Sequence, residues 1–92
     1  MLNKFEVAET EYFKKKIQCY QYKIFYNKIY NYVYPQLKNN PFFGHNIKKL
    51  KGEFEQVYRY RIGKIRLFYT IDIDKEIAII IDIEHRKDSY KN

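Results

Sequence analysis

The sequence predicts a single α+β domain over residues 1–92, with an N-terminal strand and two helices packed on one face of a small, mainly antiparallel four-stranded sheet. Up to residue 37 the apolar residues recur at helical spacing, whereas from residue 53 onward they alternate. Gly63-Lys64 separates two alternating segments, as the turn of a tight hairpin does. A chain of 92 residues with 46% hydrophobic side chains suits one hydrophobic core.

The N-terminal part is predicted to hold a short strand at residues 4–8 and then two helices. Glu9 and Thr10 provide an acidic group and a capping group for the first helix. The apolar positions that recur at helical spacing are Phe13, Ile17, Tyr20, Phe25, Ile29, Val33 and Leu37. A tyrosine stripe beside them serves either peripheral packing or a protein interface, and consists of Tyr22, Tyr26, Tyr30 and Tyr34. Pro35 should kink or tighten the helix because it lacks an N–H, and Asn39-Asn40-Pro41 should end it.

The C-terminal part is predicted to hold the rest of the sheet. Residues 42–52 are predicted to form a loop, because Gly44 and Gly52 interrupt any regular helix or strand there. Strands are predicted at residues 57–62, 65–71 and 77–83, with a turn at 72–75. The last of these is nearly continuous in β-branched residues, which predicts a central strand that is buried on both faces.

The two-residue turn predicts which side chains share a face of the sheet. It places Ile62 opposite Ile65 and Arg61 opposite Arg66, and directly opposed residues lie on the same side. Alternation then gives one apolar set to meet the helices: Tyr58, Tyr60, Ile62, Ile65, Leu67, Tyr69 and Ile71. The other side receives Val57, Arg59, Arg61, Arg66, Phe68 and Thr70. Opposed arginines destabilise a sheet, so this cluster predicts a bound polyanion, with Phe68 as a surface for a base to stack on.

The segment after the last predicted strand adds His85 and Arg86. Counting by twos places residues 79, 81, 83 and 85 on one face and residues 78, 80, 82, 84 and 86 on the other. Only one of His85 and Arg86 can then face the arginines, and we expect it to be Arg86. His85 is expected to be a packed structural histidine. If the strand ended before His85, the residue could instead face the arginines and act as a general base.

Charge and composition indicate which classes of binding partner and cofactor to expect. Lys and Arg number 18 against 11 Asp and Glu, so the net charge is +7 and the isoelectric point about 9.4. The basic excess lies between residues 47 and 66 and includes Lys48, Lys49 and Lys51, which predicts an acidic partner. His45, His85 and one cysteine give no metal-ligand spacing, and no cofactor motif is present. No stretch has the apolar length of a signal peptide or membrane helix, so we expect a cytoplasmic protein without a membrane partner.

Several motifs together resemble the RelE/ParE family of type II toxins, most clearly from about residue 36 to 91. They are Asn40-Pro41-Phe42-Phe43-Gly44, Leu50-Lys51-Gly52, the hairpin Tyr58-Arg59-Tyr60-Arg61-Ile62-Gly63-Lys64-Ile65-Arg66-Leu67-Phe68-Tyr69, and His85-Arg86-Lys87-Asp88-Ser89-Tyr90. The resemblance implies a RelE-like microbial ribonuclease fold. It also implies a toxin that is silenced by a cognate antitoxin protein.

For activity, the resemblance implies a metal-independent, ribosome-dependent endoribonuclease that cuts mRNA in the A site and inhibits translation. A 2′-hydroxyl would attack the adjacent phosphate and leave a 2′,3′-cyclic phosphate. The family's basic residues fall on Arg59, Arg61, Arg66 and Arg86, and its stacking aromatic falls on Tyr90. An arginine where some members carry a base favours charge stabilisation over proton abstraction. The alternatives are a DNA gyrase inhibitor of the ParE type and a non-catalytic basic nucleic-acid-binding module.

Overall fold

Alternating apolar side chains build one mixed sheet in this chain. The computed structural model describes residues 4–50 and 56–85. The strands within these ranges are β1 (Glu6–Glu9), β2 (Ile47–Lys49), β3 (Tyr58–Ile62), β4 (Ile65–Asp72) and β5 (Ile77–His85). They lie in the order β1-β5-β4-β3-β2, with β1 parallel to β5 and the other neighbours antiparallel. The α+β prediction with helices on one face is confirmed.

The helical layer is more divided than the two predicted helices. Its elements are α1 (Glu11–Lys16), α2 (Tyr20–Lys23), α3 (Tyr26–Lys28), a π-helical turn (Ile29–Val33) and α4 (Tyr34–Asn39). Thr10 caps α1, since its hydroxyl oxygen accepts a hydrogen bond from the Phe13 N–H at 3.1 Å. Pro35 is the second residue of α4, one residue beyond the end of the π-helical turn. The helix therefore widens before the proline instead of tightening, which is one way to relieve the clash of its ring with the preceding turn.

The core lies between this layer and one face of the sheet. From the helices it takes Phe13, Ile17, Tyr22, Ile29, Val33, Tyr34 and Leu37, and from the sheet Tyr60, Ile65, Leu67, Tyr69, Ala78, Ile80 and Ile83. Its tyrosines keep their hydroxyls satisfied, because Tyr69 donates to the Pro41 carbonyl at 2.7 Å and Tyr60 to Gln36 Oε1 at 2.5 Å.

A carboxylate ties the helical layer to β1. The hydroxyls of Tyr26 and Tyr34 both donate to Glu9 Oε2, each at 2.7 Å. Burial, followed by the hydrogen bond to Glu9, raises the pKa of both phenols above the ordinary tyrosine value. Part of the tyrosine stripe is therefore structural: Tyr22 and Tyr34 are buried, whereas Tyr30 remains 59% exposed.

Two details of the sheet differ from the prediction. A fifth strand, β2, lies in the segment predicted as a loop and pairs with β3 at Lys48 and Arg59. The central strand is β4, and β5 is covered on one face only, with Ala78, Ile80 and Ile83 buried while its other residues are half-buried. The prediction of a doubly buried β5 was wrong because a run of isoleucines gives no information about which face is covered.

A bulge in β5 also contradicts the prediction that alternate residues of this strand share one face along its whole length. Phe68 pairs with Asp82 and Tyr69 with Ile80, so Ile81 is an extra residue between them. Ala78 and Ile80 therefore face the helices, as do Ile83 and His85 beyond the bulge. The predicted set of residues 79, 81, 83 and 85 does not share one face, and neither does the set 78, 80, 82 and 84.

Candidate nucleic-acid interface

The hairpin of β3 and β4 has the predicted register. Gly63 takes a φ of +57° in the turn, a conformation that L side chains rarely adopt. Ile62 pairs with Ile65, Arg61 with Arg66 and Arg59 with Phe68. The apolar partners face the helices, so the arginines and Phe68 lie on the opposite side. This side of the sheet is called the open face below.

The open face carries two rows of side chains across the strands. One row runs Lys48, Arg59, Phe68 and Asp82 from β2 to β5. The adjacent row runs Arg61, Arg66 and Glu84 from β3 to β5. Cations therefore occupy β2, β3 and β4, whereas carboxylates occupy β5.

Two cations of the second row, Arg61 and Arg66, are direct neighbours across the strands. Arg61 is exposed and lies directly across from Arg66, an arrangement that costs stability in a sheet. The Nε atom of Arg66 is buried, and no residue in the described ranges accepts a hydrogen bond from it. An unsatisfied buried donor costs stability, so this position is one that folding alone does not favour.

An apolar cavity of about 310 Å³ adjoins the arginines on the open face. Its described lining consists of Leu50, Val57, Phe68, Ile81, Asp82 and Glu84. Asp82 is already engaged, because its Oδ1 accepts from Lys16 Nζ at 2.8 Å and from the Ile83 N–H at 2.7 Å. Partial burial lowers the pKa of Lys16, but the hydrogen bond to Asp82 and the charge of Asp82, with smaller contributions from Tyr12 and Tyr22, together outweigh burial, and the net pKa is raised.

His85 lies on the helical side of the sheet, away from the arginines. The centre of its ring lies 5.3 Å from the ring centre of Tyr22 and 5.7 Å from that of Phe25. Its Nε2 is 3.2 Å from the Gln21 carbonyl oxygen. Its strand partner is Ile65, which is fully buried. The alternative placement of His85 as a base in the arginine cleft was therefore wrong, because β5 continues regularly through this residue.

The predicted lysines divide between the two faces. Lys48 joins the open face beside Arg59, whereas Lys49 pairs with Tyr58 and places its Nζ 5.9 Å from the centre of that ring. Lys49 is thus on the helical side, on the face opposite the arginines, because adjacent strand residues alternate. Lys51, Arg86 and Tyr90 lie outside the described residues.

The cavity could not be recognised from the sequence. Alternation alone gives Glu84 and Ile81 no role as lining residues, and Leu50 belongs to the segment predicted as a loop. Pairing β5 back from the 72–76 turn could have placed Glu84 beside Arg66, had the bulge been anticipated. Over residues 4–50 and 56–85, no group of three or more His, Cys, Asp or Glu side chains could hold a metal ion. No helix in the same ranges is both long and apolar enough to cross a membrane.

Comparisons with known proteins point to a common family. The family model described as the ParE toxin of type II toxin–antitoxin systems, parDE, matches residues 10–90. A curated Methanocaldococcus jannaschii protein, named for a toxin, RelE1, is 49% identical over 47 residues. That match spans 51% of this chain and about half of the relative, also 51%.

Solved structures share the fold at low sequence identity. The toxin–antitoxin complex RelBE2 of Mycobacterium tuberculosis contains a chain with a TM-score of 0.76 and 21% identity, and the alignment covers 94% of this chain and 95% of that one. A chain of the archaeal RelE–RelB complex of Pyrococcus horikoshii gives a TM-score of 0.64 at 20% identity, covering 90% of this chain and 96% of that one. These similarities establish the fold rather than the activity.

Proposed function

We propose that this chain, which belongs to the ParE toxin family of type II toxin–antitoxin systems, is a ribosome-dependent endoribonuclease that cleaves mRNA in the ribosomal A site. The observation that carries the proposal is the pairing of Arg61 with Arg66 on the open face, beside Arg59 and Phe68. Folding alone disfavours opposed cations, whereas an RNA phosphate between them would turn repulsion into attraction.

The chemistry of the open face supports this proposal. Arginine forks match phosphate oxygens, and Arg61 and Arg66 would contact one phosphate of the RNA from two strands. Phe68 adjoins them with an aromatic face for stacking, worth roughly 1 to 3 kcal/mol per base. These groups therefore provide both a phosphate contact and a base contact within one strand pair.

The reaction is cleavage by the RNA's own 2′-hydroxyl, without a metal. The 2′-oxygen bonds to the adjacent phosphorus as its proton leaves to solvent, and the bond from phosphorus to the 5′-oxygen breaks as that oxygen takes a proton from solvent. The products are a 2′,3′-cyclic phosphate and a 5′-hydroxyl. His85 faces the helices, so the proposal assigns catalysis to charge stabilisation by Arg61 and Arg66, with Arg86 and Tyr90 as further contacts.

The test is incubation with programmed ribosomes followed by mapping of the mRNA ends. The parent protein should produce cuts in the A-site codon, and the Arg66→Ala variant should cut on the order of 100-fold more slowly. Lys75→Ala is the matched control, because it removes one exposed cation from the turn between β4 and β5. Equal cutting by all three proteins would contradict the assignment of the open face.

DNA gyrase inhibition is the second candidate function, because the matching family model is named for ParE. A supercoiling assay distinguishes the two activities. Inhibition of supercoiling without any mRNA cleavage would favour this candidate over the nuclease. A protein that binds RNA but shows neither activity would support a non-catalytic binding module.

A cognate antitoxin protein is the proposed partner, acting in the cytoplasm where ribosomes are found. Support comes from the RelBE2 and RelE–RelB complexes, whose chains share this fold. Exposed apolar side chains on the helical layer offer a surface for it, among them Tyr20, Ile24, Tyr30 and Tyr32. Co-purification with the product of an adjacent small gene, and loss of cleavage on its addition, would test this partner.

A further inference from the structure

The open face is polarised across its strands. Lys48, Arg59, Arg61 and Arg66 lie on β2, β3 and β4, whereas Asp82 and Glu84 lie on β5. A phosphate held between Arg61 and Arg66 would therefore have carboxylates one strand away, at a spacing of about 4.8 Å between neighbouring strands. That distance is short enough for one nucleotide to bridge, with its phosphate over the arginines and its base toward β5.

The space in that direction is the apolar cavity beside Phe68. Its volume of about 310 Å³ falls within the range of small-ligand sites. Leu50, Val57, Phe68 and Ile81 provide apolar walls, and one of them is an aromatic ring. An apolar cavity with an aromatic wall, next to arginines that would hold a phosphate, suits a nucleobase that has been removed from a stack.

Glu84 is the group in this lining that is available to read a base. Asp82 is occupied by Lys16 and by the Ile83 N–H. The carboxylate of Glu84, in contrast, makes no hydrogen bond or ion pair with any other residue in the two described ranges. An ionised carboxylate offers two acceptor oxygens and no donor. It therefore selects a base edge that presents two adjacent donors.

We propose that this cavity binds a guanine base of the RNA and that Glu84 accepts hydrogen bonds from its N1–H and 2-amino groups. Guanine presents these two donors side by side on its Watson–Crick edge. Adenine and cytosine each place an acceptor nitrogen beside their amino group, and uracil flanks one N–H with two carbonyls, so all three would set lone pairs against the carboxylate. The inference rests on the proposed function, since it requires RNA on the open face.

The test measures binding without cleavage, using 2′-O-methyl hexanucleotides that lack the attacking hydroxyl. Each carries guanine, inosine, adenine, cytosine or uracil at one position in a uridine background, and fluorescence anisotropy reports the affinity. Guanine should bind roughly 5- to 100-fold more tightly than adenine, as a bidentate base contact does. Inosine keeps N1–H but lacks the 2-amino group, so its affinity should be intermediate.

The decisive variant is Glu84→Gln, with Asp74→Asn in the β4–β5 turn as the control for loss of one negative charge. Glu84→Gln should abolish the preference for guanine and still bind the uridine hexamer, whereas Asp74→Asn should keep the preference. Equal binding of guanine and adenine by the parent protein would overturn the inference while leaving the nuclease proposal intact.

Two further results separate the inference from the function on which it rests. If Glu84→Gln keeps the guanine preference but slows cleavage of every codon alike, Glu84 acts in proton transfer and not in base reading. If the parent protein binds none of the hexamers and cuts no mRNA, the proposed function itself fails.

Discussion

Arg61 and Arg66 lie directly opposite each other on the open face, and this pairing links the stability of the protein to its proposed activity. Arg61→Glu should raise the free energy of unfolding by about 0.2 to 1 kcal/mol, because an attractive cross-strand pair replaces a repulsive one. The same variant should bind RNA more weakly. Urea unfolding and RNA-binding titrations measure the two effects. Lys64→Glu in the turn is the control for charge, and equal stabilisation by it would refute the pairwise explanation.

Lys48 should contribute one phosphate contact to RNA binding, because it lies beside Arg59 on the open face. Lys48→Ala should reduce the slope of log affinity against log salt by roughly 0.7, the value for one single-strand contact. Lys49→Ala is a close control, since the neighbouring lysine lies on the helical side over Tyr58. A similar loss of slope in both variants would show that these lysines act only through net charge.

Tyr34 should make the protein sensitive to alkaline pH. Burial and the Glu9 hydrogen bond raise the pKa of Tyr34, so the folded protein holds the phenol proton more tightly than the unfolded chain does. This stabilisation is present below the unfolded pKa of about 10 and is lost as pH rises toward the folded pKa.

Above pH 10 each such tyrosine should lower the free energy of unfolding by up to about 1.4 kcal/mol per pH unit. Tyr69, whose pKa is raised mainly by burial, should contribute similarly. Tyr34→Phe should therefore make the free energy of unfolding fall less steeply with pH, by the contribution of one tyrosine. Urea unfolding between about pH 9 and 11 measures this slope. Tyr20, which is 91% exposed, provides the control, and an equal change in Tyr20→Phe would exclude this cause.

Gly63 should be needed for its backbone conformation and not for its small size. A Cβ atom at this position would meet no heavy atom within 4 Å, but the φ of +57° disfavours L side chains. Gly63→Ala should cost about 1 to 2 kcal/mol, and Gly63→Asn less, because asparagine tolerates this region better. Urea midpoints of both variants, compared with Lys64→Ala, measure the difference. An asparagine variant as unstable as the alanine variant would contradict it.

The hairpin could be predicted from sequence because a two-residue turn fixes its register locally. Once Gly63-Lys64 was placed, Arg61 had to face Arg66 and Arg59 had to face Phe68, and the structure has both pairs. The helix-facing positions followed from the same count. Local geometry was sufficient for this part of the candidate site.

The β5 side of the site could not be predicted in the same way. The bulge depends on how β5 pairs with β4, and no residue type in the run Ile79-Ile80-Ile81 marks it. Strand β2 is only three residues long and includes Lys48 and Lys49, so it lacks the apolar alternation that indicates a strand. The cavity lining draws on both regions, and this is why the role of Glu84 was missed.

The bulge at Ile81 also means that β5 is one residue longer than its ladder with β4 requires. Deleting this single residue would join Ile80 to Asp82, which already pair with the neighbouring Tyr69 and Phe68, and so would give an unbroken ladder. Asp82 and Glu84 would keep the open face and Ile83 the core, whereas a deletion elsewhere between Ile77 and Ile80 would exchange the two sides. Among relatives that keep both the core and the open face, a one-residue difference in the length of this strand should therefore fall at Ile81.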